Sequence, residues 1–138
     1  MLIKNKRKAY HTVEQRVYSC QYHVVLCSKF KRKVFEGDVK KAFEKWLKDQ
    51  QENIGYTLVD CEMVVESIHL VLDVDPKVGI HNVVVRIKSG SSNYIRNKFK
   101  DVKTRFPSLW SRSYFIASVG SVALLSIKSY IQAQTKSQ

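Results

Sequence analysis

His69, Tyr130 and Gln134 are the side chains in this sequence whose types and places could do chemistry together. Ser67, His69, Val71 and Asp73 alternate with Ile68, Leu70 and Leu72. A period of two sends these sets to opposite faces of a strand. The apolar set can pack on helices, which leaves His69 on the open face. Tyr130 and Gln134 are four residues apart, so on a helix they share a face. A phenol with a pKa of about 10 is a poor nucleophile near neutrality. It becomes useful where a divalent cation polarises a phosphate and stabilises the charge developing there. An imidazole nitrogen and an amide oxygen are both acceptable ligands for such an ion. Taken alone, a strand histidine is more often a hydrogen-bonded bystander, and a helical tyrosine beside a glutamine is usually structural.

These residues need elements to hold them. Residues 16–27 alternate as a half-buried strand, with Tyr18, Cys20, Tyr22, Val24 and Leu26 on one side. A basic loop, SKFKRK, follows. Residues 38–54 read as an amphipathic helix, with Asp38 as its cap and Gly55 as its end. Residues 56–65 and 68–74 are two more strands, and Asp75-Pro76-Lys77 ends the pattern. A second helix is expected after Gly79, running towards Phe99. The SGSS stretch at residues 89–92 costs helix propensity, which points to a kink or to close approach of a ligand. Gly90 would let backbone approach a nucleic acid. Pro107 breaks the chain, residues 114–119 form a fourth strand, and residues 122–134 a last helix. The order predicts a ferredoxin-like α+β domain over residues 1–138. It has an antiparallel sheet with two helices on one face, plus a C-terminal helix carrying Tyr130.

Composition narrows the partners. Lys and Arg number 24 against 12 Asp and Glu, a formal net charge of +12 on 138 residues. Such a balance favours a polyanion. No segment joins a basic face to a long apolar one, and no apolar run approaches the roughly 20 residues that span a bilayer. Nucleic acid is therefore preferred over a membrane. The basic start, residues 1–8, is not followed by an apolar run, so a secretory signal is not expected. Cys20, Cys27 and Cys61 form no CxxC pair and read as reduced residues of a cytoplasmic protein. The same layout serves RNA-binding domains, but their aromatic Lys/Arg-Gly-Phe strand motif is missing here.

Five stretches occur in order: YSCQYHVVLCSKFKRKVF, ESIHLVLDVDP, IKSGSSNYIRNKF, FPSLWSRSYFIASVG and IKSYIQAQ. Each is weak alone. Together, over nearly the whole chain, they resemble the small single-tyrosine HUH transposases of the insertion-sequence 200/605 type. The resemblance implies a homodimer on a ferredoxin-like sheet that recognises DNA hairpins near transposon ends. It also implies a helical tyrosine that attacks single-stranded DNA, leaving a 5′-phosphotyrosine bond and a free 3′-hydroxyl. A Mg²⁺ or Mn²⁺ ion held by a His-x-His strand and a helical glutamine would assist. Carried over by position, Tyr130 is the nucleophile, Gln134 the helical ligand and His69 the second histidine. The resemblance further implies composite active sites, each pairing one subunit's tyrosine helix with the other's histidine strand.

One position departs from the family pattern. The first histidine is Ser67. A serine hydroxyl is shorter and more weakly donating than an imidazole, so metal binding should suffer. Water could fill the gap, since Mg²⁺ commonly keeps several waters. Glu66 or His23 could contribute, although Glu66 should point to the opposite face. The competing expectation is a catalytically impaired or repurposed hairpin-binding protein. Lys29, Lys31, Arg32, Lys33, Lys88, Arg96 and Lys98 are the expected phosphate contacts, from charge and from lying beside the family stretches.

Overall fold

The alternating stretch that begins at Gln21 becomes an inner strand of a sheet. A computed structural model describes residues 11–13, 16–106 and 108–119, with side chains for residues 19–30, 32–106 and 108–119. The expected helix over residues 122–134, with Tyr130 and Gln134, lies outside the described residues.

In chain order the elements are β1 (His11–Val13), β2 (Arg16–Tyr18), β3 (Gln21–Cys27), a 3-10 turn (Lys29–Lys31), α1 (Gly37–Asp49) and α2 (Gln51–Ile54). Then come β4 (Tyr56–Val64), β5 (Ser67–Val74), α3 (Ile80–Lys98), α4 (Lys100–Arg105) and β6 (Phe115–Ser118). The main sheet has the order β4-β5-β3-β6, and every pairing in it is antiparallel. With α1 and α3 as the two crossover helices, this is the expected ferredoxin-like α+β arrangement. β1 and β2 form a separate two-stranded sheet among the described residues.

One face of the sheet carries the core. Val24 and Leu26 of β3 and Ile68, Leu70 and Leu72 of β5 join Phe43, Trp46 and Leu47 of α1 and Val83, Val84, Ile87 and Ile95 of α3. Each large apolar side chain buried this way contributes roughly 1.5–3 kcal/mol. Phe35 stacks on Trp110 at 4.9 Å between ring centroids, and Phe43 meets the same indole edge-on at 5.8 Å. This cluster fixes the segment before β6 against α1.

Several local expectations need correction. The strand expected over residues 16–27 is two strands. The chain breaks at Ser19 and Cys20, where Cys20 donates its N–H to Asp73 Oδ1 and accepts from Val74 N–H. The helix expected over residues 38–54 starts at Gly37 and is interrupted at Gln50. Asp38 is in its first turn, while Glu36 holds the cap position without a side-chain bond. Gly55 does end the pair of helices, in the left-handed region at φ 106°. α4 was not expected. The larger correction concerns SGSS: α3 runs through it without a kink. Its small residues serve packing. A Cβ on Gly90 would sit 2.7 Å from Trp46 Cζ2. Ser91 Oγ donates to Ile87 O and accepts from Trp110 Nε1 at 2.9 Å. The space a Cβ would take at Gly90 is thus filled by an indole of the same chain.

Candidate active site and nucleic-acid interface

The other face of the sheet presents the expected residues. On β5 it carries Ser67, His69, Val71 and Asp73, as the alternation requires. Cross-strand partners complete the rows. Val25 and Glu62 flank His69, Cys27 and Val64 flank Ser67, and His23 and Asp60 flank Val71. The face expected to be open is mostly covered: His23, Val25, Cys27, Ser67, Val71 and Asp73 are buried, and His69 is half-buried. Burial lowers the imidazole pKa of His69, and the opposing Glu62 carboxylate offsets part of that shift. The ring is therefore mainly neutral near pH 7, which is the form that can bind a metal or accept a proton. Ser67 Oγ lies 3.4 Å from His69 Nε2.

His23 is fully buried, and among the described residues neither of its ring nitrogens has a hydrogen-bond partner. Burial lowers its pKa too. Asp60 accepts from Cys61 N–H with one oxygen, and its other oxygen is buried without a partner among the described residues. Burial, with Glu44 and Asp60 nearby, pushes the Cys61 thiol up to about 12, so it is no nucleophile near neutrality. Glu66 lies in the turn between β4 and β5, where its carbonyl accepts from Ser28 N–H.

The donor set bears on the implied divalent ion. Among the described residues no three His, Cys, Asp or Glu side chains gather to hold a metal. His69 offers one imidazole, a short hydroxyl stands at hydrogen-bond range from its Nε2, and His23 lies on the same face, opposite Val71 and fully buried. These donors fit a loosely held, largely hydrated ion and not a tightly bound one.

The basic candidates fall into separate places. Lys29, Lys88 and Arg112 line an open groove of about 590 Å³ between α3 and the segment before β6, together with Ser89, Ser92 and Asn93. Lys88 is half-buried. Its Nζ donates to Ser111 O and Arg112 O at 2.9 and 3.1 Å, and burial lowers its pKa. Arg32 and Arg96 converge on adjacent carbonyls. Arg32 donates to Arg105 O at 3.3 Å and Arg96 to Phe106 O at 2.9 Å. Lys98 is exposed beside Tyr94, 5.7 Å from the ring centroid, and Lys33 is exposed. The Lys31 side chain lies outside the described residues. Lys88, Arg96 and Lys98 belong to α3, which covers the face opposite His69. The fold does not gather these cations and His69 on one surface.

The model of the family described as "Transposase IS200 like" matches residues 16–134. The chain belongs to the IS200-like transposase family. The resemblance read from the sequence is thereby borne out, and family membership makes the chain a DNA-processing enzyme of insertion-sequence transposition. This transposase is 27% identical to the transposase for insertion sequence element IS200 of Salmonella typhimurium over 119 residues, 85% of this chain and 78% of the relative. It is 27% identical to the ISDra2 transposase TnpA of Deinococcus radiodurans over 120 residues, 86% of each chain. Its fold matches the crystal structure of a candidate transposase from Deinococcus radiodurans R1 with TM-score 0.79 and 24% identity, over 90% of this chain and 97% of that one. A REP-associated tyrosine transposase, solved bound to a REP hairpin, matches with TM-score 0.57 and 8% identity, over 95% and 68%. No helix among the described residues of the transposase is long and apolar enough to cross a membrane.

Glu62, Asp60, Asn93 and Arg112 were missed by sequence reasoning, while Ser89 and Ser92 of the SGSS stretch, singled out for close approach of a ligand, line the groove. Glu62 faces His69 in unbroken register from the turn at residues 65–66, one residue earlier than the turn expected between strands 56–65 and 68–74, and the bulge between Leu58 and Asp60 lies beyond it. Arg112 is brought to α3 by the Trp110 anchor, and no local pattern announces such a tertiary contact.

Proposed function

We propose that this transposase binds hairpin-bearing single-stranded transposon ends and cuts and rejoins them through Tyr130. The Tyr130 phenol oxygen attacks the phosphorus, the bond to the 3′ oxygen breaks, and that oxygen leaves as a 3′-hydroxyl. The DNA stays joined to the enzyme as a 5′-phosphotyrosine ester. Attack by a new 3′-hydroxyl releases the tyrosine, and no nucleotide cofactor is consumed. One observation carries the reading: half-buried His69 stands on the sheet face opposite the helices in a chain whose family match extends through Tyr130 and Gln134. The hairpin bound by the structural neighbour and the net charge of +12 support a hairpin DNA substrate.

His69 and Gln134 are the side chains that would hold Mg²⁺ or Mn²⁺, with water at the Ser67 position. A bound ion would polarise the scissile phosphate. His69, mainly neutral near pH 7, offers a nitrogen to the ion or a base for the phenol proton. We take the working form as a homodimer with composite sites. The α3 cations and His69 lie on opposite faces of one sheet, so a strand held by one subunit's cations would suit the other's histidine.

The test is a labelled hairpin with a single-stranded extension, incubated with protein and Mn²⁺. A covalent adduct that survives denaturation and is lost in Tyr130→Phe is expected. A second reading, a hairpin-binding protein that no longer cuts, is favoured by Ser67. Binding without an adduct, with cutting restored by Ser67→His, would replace the first reading by this one.

A further inference from the structure

We propose that Phe30 is a stacking platform for an unpaired base of the single-stranded DNA, a role that rests on the DNA-binding reading above. Phe30 sits at the tip of the 3-10 turn and is 55% exposed. Its φ is 57°, and it is the one non-glycine residue with positive φ among the described residues. A bulky side chain in the left-handed region is disfavoured, and an exposed ring gains little from burial. The fold keeps both costs at one residue, and such outliers concentrate at functional sites.

The turn that carries the ring is tied down on several sides. Ser28 N–H donates to Glu66 O at 2.9 Å and Lys29 N–H to Leu109 O at 2.9 Å. Ser28 Oγ donates to Arg32 O at 2.6 Å, and Arg32 also bonds Arg105 O. A ring held out this way is preorganised, so little ordering is needed on binding. Its flanks are cationic: Lys29 Nζ is 5.3 Å and Arg32 Cζ 5.6 Å from the ring centroid. An exposed aromatic among cations is the combination that single-stranded nucleic acids recognise, with the base stacked and the phosphates neutralised. Lys29 also lines the groove beside α3, so a strand stacked at Phe30 has its neighbouring phosphates at the groove mouth. A second copy of this chain is a poor occupant. It would bring the same SKFKRK cations against these, and lysine is depleted in subunit interfaces.

The test measures binding of the full chain to a hairpin whose single-stranded extension carries 2-aminopurine at one unpaired position at a time. Wild type is expected to quench the probe at one or two positions. Phe30→Ala is expected to abolish that quenching and weaken binding about 5- to 150-fold, the span of one lost base stack. Phe30→Trp should retain both within about threefold, because it keeps the aromatic face. The salt dependence should be unchanged, because no phosphate contact is lost. The proposal is overturned if Phe30→Ala binds like wild type, if Phe30→Trp fails as badly as alanine, or if Phe30→Ala turns a dimer into a monomer. Failure of wild type to bind any hairpin would instead defeat the DNA-binding reading, and this proposal with it.

Discussion

Ser67 Oγ and His69 Nε2 are 3.4 Å apart on the face of β5 turned away from the helices, so the imidazole edge meets a hydroxyl where the resemblance implies a second imidazole. A hydroxyl at that reach gives a divalent ion little. Ser67→His should therefore tighten Mn²⁺ binding by at least about tenfold, since even outer ligand-shell partners are worth that much. Calorimetric Mn²⁺ titration of both proteins checks this, with melting temperature as the control for space around a buried position. Equal affinity would mean that position 67 is not a ligand site.

Acid should destabilise this fold through His23. The imidazole is fully buried, without a hydrogen-bond partner among the described residues, and held below its ordinary value of about 6.5 by burial. The unfolded chain then binds more protons than the folded one below that value. Stability is full above about pH 6.5 and declines as pH falls, by at most about 1.4 kcal/mol per pH unit from this group. Denaturant midpoints from pH 7.5 to pH 5 should fall, and His23→Phe should flatten the decline. An unchanged decline would place the acid sensitivity elsewhere.

Gly90→Ala separates packing from propensity. Alanine is the better helix former by about 1 kcal/mol. Its methyl, however, meets Trp46 Cζ2 at 2.7 Å, and forcing a core aromatic aside costs about 1–3 kcal/mol. A lower melting temperature with normal DNA affinity of the folded fraction is expected. A raised melting temperature would show that Trp46 yields freely.

The lysines should divide into two kinds. Lys88→Ala removes a donor from Ser111 O and Arg112 O and should lower stability by about 1–3 kcal/mol before any effect on DNA is read. Lys33→Ala and Lys98→Ala change exposed side chains. They should leave the melting temperature alone while reducing the slope of log affinity against log salt by roughly 0.7–0.9 for each phosphate contact removed. Salt-dependent binding curves on a hairpin oligonucleotide distinguish the two kinds.

What was legible in the sequence follows from how local the cause is. The alternation through Ser67–Val74 reads directly, because one face packs on helices and a register slip would expose the whole apolar set. The same alternation hid the break at Ser19 and Cys20, since the pattern continues across it while the Asp73 side chain redirects the backbone. SGSS misled because four weak helix formers matter less than two tryptophans that need small neighbours. α4 offers only Val102 to the core, too little for a periodic signal. Of the site, His69 and its face were legible. Glu62 was not, because its place opposite His69 depends on the turn falling at residues 65–66, one residue before the expected strand end. Phe30 looked like one more residue of a basic loop until its backbone angle and exposure were known.

The central claim is that Tyr130 becomes joined to the 5′ side of a cut strand. Mass spectrometry of peptides from the Mn²⁺ reaction on a single-stranded hairpin end tests it most directly. The account predicts a nucleotide 5′-phosphate on the peptide containing Tyr130, released strands ending in 3′-hydroxyl, and neither product with Tyr130→Phe. Adduct on another residue, cut strands ending in 3′-phosphate, or intact DNA with both this chain and its Ser67→His variant would contradict it.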